Sequence, residues 1–125
     1  MKIELPENYV KEPTGYPFSP VLTIEGKEIV LTSGMCCDDW DGSVPETIEE
    51  QTRLTLMACE KNLKEAGCDF TNVFNVEVYM ADLTQWGDFN KIYRELMPDP
   101  KPCRRALQVG LLPGYLVEVV MWAVK

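Results

Sequence analysis

The sequence predicts an α+β domain: a mixed β-sheet that carries two helices on one face. Three observations predict it. Stretches 46–66 and 86–97 have the composition and apolar spacing of helices. The segments around them alternate apolar and polar residues or are rich in β-branched ones, as strands are. Taken in order, the elements read β-β-α-β-α-β-β, and two helices cover one side of a five-stranded sheet. At 125 residues the chain is a single domain, 1–125, with no internal repeat and no low-complexity segment.

VLTIEGKEIVLTSG predicts a hairpin, 21–25 against 28–33, with Gly26-Lys27 as the turn. MCCDDWDGSVP follows as a loop. In the first helix Ile48, Thr52, Leu56, Cys59, Leu63 and Ala66 share a register, while Glu49, Glu50, Arg53, Glu60, Lys61 and Lys64 lie opposite. Gly67 is placed to end it in a left-handed conformation. Residues 73–82 alternate, with Phe74, Val76, Val78 and Met80 expected on one face and Val73, Asn75, Glu77 and Tyr79 on the other. The second helix stops at PDPKP, because a residue before proline avoids the helical region. Strands over 104–109 and 115–124 close the chain through a turn at Pro113-Gly114. The last strand is apolar on both sides: Val117, Val119, Met121 and Ala123 on one, Leu116, Val120, Trp122 and Val124 on the other. Helices on one face leave the second uncovered, and the expected cover is another copy of the chain.

Composition excludes several classes of function. A net charge of −8 with no basic cluster argues against nucleic acid, whose binding draws on grouped Lys and Arg. The N-terminus lacks an apolar signal core and no run is long enough to span a membrane, so the expectation is a cytoplasmic protein with no membrane partner. Five cysteines without framework spacing read as reduced thiols. With no histidine, neither a zinc site nor a Ser-His-Asp or Cys-His nucleophile is available. CDDWDGS resembles a calcium loop around Gly42, but Ile48 stands where a bidentate Glu is required, so no metal site is expected. No phosphate-binding glycine motif is present.

What remains is a pair of arginines in an apolar run, KPCRRALQVG. Consecutive strand residues point to opposite faces, so Arg104 and Arg105 cannot serve one pocket. Beside them stand Glu118, a carboxylate inside an apolar strand, and Asn90 on the second helix. Two readings stay open at this level: a ligand-binding Arg104, or a buried Arg104–Glu118 ion pair with no further role.

The series FSP (18–20), TSG (32–34), a helix beginning near Gln51, DFNKIY (88–93), KPCRRALQVG (101–110) and LPGYLVEV (112–119) marks a match that covers roughly 16–124. In this order it resembles the RidA family, also called YjgF/YER057c/UK114 and earlier labelled endoribonuclease L-PSP. The resemblance implies a chorismate mutase-like subunit assembled as a homotrimer with clefts between subunits. It also implies hydrolytic deamination of enamines and imines, such as 2-aminoacrylate or 2-iminopropanoate, to a 2-keto acid and ammonia without cofactor or metal. Carried over by position, Arg104 would bind the substrate carboxylate, and Glu118 would orient or activate water. Asn90 matches the family's helix Asn, Ser33 and Gly34 its Ser-Gly pair at the pocket wall, and Ala106 a position whose backbone faces substrate. Phe18 stands where deaminating members commonly carry Tyr, which removes a hydroxyl; Tyr16 carries one two residues away. The alternative is a non-catalytic small-carboxylate-binding member, and an endoribonuclease ranks last.

Overall fold

The computed structural model describes residues 1–9, 15–37 and 43–125; Asp39, Asp41 and Gly42 of the calcium-like loop lie outside the described residues. The order is β1 (Lys2–Glu4), β2 (Thr23–Glu25), β3 (Ile29–Leu31), α1 (Ile48–Glu65), β4 (Val73–Met80), α2 (Trp86–Leu96), β5 (Cys103–Gln108) and β6 (Val117–Val124). The main sheet runs β3-β6-β4-β5, and β1 and β2 form a separate ribbon. It is mixed: β4 and β5 are parallel across the α2 connection, and the other pairs are antiparallel.

α1 follows its sequence signals. Thr47 caps it by accepting from the Glu50 amide, and Gly67 leaves it at φ 79°, a conformation that costs glycine no side-chain clash. Its apolar stripe, Ile48, Leu56, Cys59 and Leu63, is buried against Val117, Val119 and Met121 of β6 and Val76, Val78 and Met80 of β4. Each such Leu or Val taken out of water contributes roughly 1.5–3 kcal/mol. Gln51, fully buried, donates to the carbonyls of Pro45 and Gly114 and accepts from the Leu116 amide, which fastens α1 to the approach to β6. Burial also pushes the Cys59 thiol up to about 12, with Cys36 adding to it, so this sulfur stays protonated.

Three expectations are corrected. The 21–33 hairpin does not form: β2 pairs with β1, and β3 pairs with β6. The intervening turn is spent on β6 instead, since the amides of Lys27 and Glu28 both donate to the Lys125 carbonyl. The expected five-stranded sheet has four strands, because β2 leaves it to pair with Lys2–Glu4, a segment to which the sequence assigned no element. In β4, Val73 pairs with Ala123 and Asn75 with Trp122, so Phe74 is an extra residue in a bulge. Val73 rather than Phe74 therefore joins Val76, Val78 and Met80 in the core.

Both helices lie on one face, as expected. The opposite face exposes apolar side chains, with Ile29 66% and Leu31 53% exposed beside half-buried Val120 and Trp122.

Candidate active site

The β4–β5 register sets Arg104 level with Val76, on the face that the helices cover. There α2 presents Trp86, Phe89, Asn90 and Tyr93, spaced i, i+3, i+4 and i+7 along a single stripe. The Arg104 guanidinium carbon lies 4.8 Å from the Tyr93 ring centroid, 5.6 Å from Phe89, 5.8 Å from Phe18 and 5.9 Å from Trp86. Phe18 is held in place because the Ser19 amide donates to the Pro102 carbonyl, just ahead of β5, and the Ser19 hydroxyl donates to that of Lys101.

Four rings attract a cation through their faces, but they accept none of its N–H bonds in the plane of the guanidinium. All three guanidinium nitrogens are buried and have no acceptor among the described residues; Asn90 Oδ1 has no donor there and Tyr93 Oη no hydrogen-bond partner. Burial lowers the pKa of Arg104; Tyr93 opposes this and Arg94 adds to it. Burial likewise raises the Tyr93 hydroxyl. A buried, charged fork of unmet donors is the arrangement that a planar carboxylate satisfies.

The backbone beside it is open as well. The Val109 amide donates to the Met80 carbonyl, so by alternation the backbone groups of Arg104, Ala106 and Gln108 point away from β4, along the sheet edge. Ala106, half-buried, packs on the core side. Its backbone faces the open edge, and its side chain serves packing.

Glu118 belongs to a second group. Level with Tyr79 on β6, it occupies the other face of the sheet, with β4 between it and β5. Gly34 backs it so closely that a Cβ there would stand 2.8 Å from the carboxyl carbon and from Oε2. Cys36 Sγ lies 3.6 Å from Oε1, and Met35 bridges Val119 to hold the segment in line. Ser33, exposed, precedes Gly34.

One chain therefore gathers Arg104, Asn90 and Phe18 on one side, and Glu118, Gly34 and Ser33 on the other. The Arg104–Glu118 ion pair is not formed, because the two side chains leave the sheet from opposite faces. Arg105 has the pairing instead, 2.7 Å from Glu77 on the Glu118 side. Sequence reasoning missed Trp86, Phe89 and Tyr93 as the walls around Arg104 and Cys36 as the neighbour of Glu118. The helical spacing of the first three was a usable signal; for Cys36 there was none. Among the described residues no three His, Cys, Asp or Glu side chains cluster as metal ligands.

The family model described as endoribonuclease L-PSP matches residues 11–125. The chain belongs to this family, the YjgF/RidA family. A mouse RidA-family relative named 2-iminobutanoate/2-iminopropanoate deaminase is 33% identical over 111 residues, covering 87% of this chain and 82% of its own. Protein mmf2, mitochondrial, from Schizosaccharomyces pombe is 30% identical over 110 residues, covering 88% and 86%. The crystal structure of a YjgF/YER057c/UK114 member from Mycobacterium tuberculosis superposes with a TM-score of 0.70 at 26% identity, over 90% of this chain and 88% of that one. Membership assigns no compartment, since one of these relatives is mitochondrial by name; among the described residues no helix is long and apolar enough to cross a membrane.

The contact between Gly34 and Glu118 in this RidA-family chain makes a direct test. Gly34→Ala places a methyl group against the carboxylate, which must shift by several tenths of an ångström or more. If Glu118 acts on substrate, imine hydrolysis should fall at least ten-fold with the fold intact by circular dichroism. Undiminished hydrolysis would show that the carboxylate's position is immaterial.

Proposed function

We propose that the protein hydrolyses the imines and enamines of 2-amino acids to 2-oxo acids and ammonia. The observation that supports this most directly is the buried Arg104 fork, whose three nitrogens lack acceptors among the described residues. Relatives from mouse and cattle named 2-iminobutanoate/2-iminopropanoate deaminase, 33% and 32% identical, support the same reading. Arg104 holds the carboxylate with both arms, leaving the imine carbon beyond it. Glu118 orients a water and takes its proton as oxygen attacks that carbon. That proton passes to nitrogen to give the carbinolamine, whose hydroxyl proton then moves to nitrogen by way of Glu118, so that ammonia leaves as the carbonyl forms; an enamine joins this path once it is protonated at its β-carbon. Water adds one oxygen and the substrate releases one nitrogen, so no electrons are exchanged. Asn90, with an unmet Oδ1, is available to the substrate nitrogen.

Because one chain separates Arg104 from Glu118, the reading requires a neighbouring copy to bring a second Glu118 to each Arg104. The half-exposed apolar sheet face supports such an assembly, and a homotrimer is the form proposed. A non-catalytic carboxylate binder using the same Arg104 is the second reading, favoured by Phe18, which offers no hydroxyl to the reaction. Ribonuclease activity has the weaker basis: the chain is acidic and its inward arginine is closed off from a phosphate backbone. The test is turnover of enzymatically generated imino acids of several sizes, with ammonia and 2-oxo acid measured, alongside light scattering. Ammonia release above the uncatalysed rate by a trimer is expected. A stable monomer at micromolar concentration, or no acceleration with any imine, would sink the proposal.

A further inference from the structure

The box around Arg104 is shut. With all three guanidinium nitrogens buried, a carboxylate reaches them only if a ring moves. Phe89 and Tyr93 are fully buried core residues and cannot give way without opening the interior. Phe18, half-buried, and Trp86, 39% exposed, can. Phe18 does not stand alone: Tyr16 stacks on it with ring centroids 5.3 Å apart and planes within 4°, and Tyr16 is itself 62% exposed.

Moving Phe18 aside breaks its contact with the cation and disturbs a stacked pair, and a small ligand restores neither. A ligand that brings its own ring restores both, covering the displaced apolar surface and stacking in turn. We propose that the site selects 2-imino acids with an aromatic side chain, and binds the matching 2-oxo acids, through Tyr16, Phe18 and Trp86. This rests on the reading of Arg104 as the carboxylate anchor. The ligand's carboxylate meets the fork, its side chain lies along the three movable or exposed rings, and the imine carbon is left towards the open edge of β5.

Isothermal titration calorimetry with pyruvate and phenylpyruvate as probes decides it. Phenylpyruvate is expected to bind the wild-type protein at least ten-fold more tightly than pyruvate, and Tyr16→Ala should reduce that ratio at least three-fold. Arg104→Lys should weaken both acids. Equal affinities in the wild type, or a preference untouched by Tyr16→Ala, would overturn the aromatic selection while leaving the carboxylate anchor standing. Phenylpyruvate binding undiminished in Arg104→Lys would place the ring elsewhere and also overturn it. If neither acid binds the wild type, the anchor itself fails, and the inference falls with it.

Discussion

Glu118→Gln is expected to lower imine hydrolysis by about 10²–10⁴ while affinity for a 2-oxo acid stays within a few-fold. Glutamine keeps the size of the side chain and leaves a carbonyl oxygen for Cys36 to donate to, so the neighbourhood of Gly34 and Cys36 should survive the exchange. What it cannot do is take a proton from water. The loss should therefore appear in kcat and in kcat/KM alike, the pattern of an interaction that acts in the transition state. A binding module has no turnover to lose, and in it the same exchange would move only affinity or stability. The paired measurement is hydrolysis rate and product affinity on the two proteins. Equal hydrolysis would remove Glu118 from the chemistry.

Arg104→Lys is expected to weaken 2-oxo acid binding by about 10–100-fold, the worth of one charge-assisted hydrogen bond of roughly 1.5–3 kcal/mol. Lysine keeps the positive charge within reach of the rings, so the box should hold and circular dichroism should be unchanged. It replaces the planar fork with a point charge, which meets one carboxylate oxygen well and the second poorly. Arg105→Ala is the control, because that side chain pairs with Glu77 on the far face and is largely exposed. Its effect on carboxylate affinity should stay within about two-fold. If Arg104→Lys binds as the wild type does, the guanidinium is a structural cation held by four rings. If both variants lose affinity equally, Arg105 also reaches the ligand in the assembled protein.

The parts of the fold that local rules govern were legible in the sequence. The spacing of Ile48, Leu56, Cys59 and Leu63, with Gly67 at the end, is a helix by short-range physics, and the structure has it at Ile48–Glu65. Strand parity alone put Arg104 and Arg105 on opposite faces. Partner choice was not legible. The turn at Gly26 could close on β2 or wrap the end of β6, and only the distant Lys125 carbonyl decides between them. Lys2–Glu4 has no periodicity to announce it, being three residues long. At the candidate site, Arg104, Asn90 and Glu118 stand out in the sequence by type and position. That Arg104 and Glu118 leave opposite faces required knowing that β4 lies between their strands. The closeness of Cys36 to Glu118 depends on the strand-like path through Met35, which loop composition gave no reason to expect.

The bulge at Phe74 has a consequence for how the chain can change length. Elsewhere in β4 a one-residue deletion would invert every side chain on one side of the cut, exchanging core for surface. Removing Phe74 would not. Val73 would then directly precede Asn75 in a regular ladder, still opposite Ala123, and Val76, Val78 and Met80 would keep their faces. The same parity keeps Glu77 beside Arg105 and Val76 level with Arg104. The strand thus has a point where a codon can be lost without reversing the sheet, placed upstream of the residues that line up with the arginines.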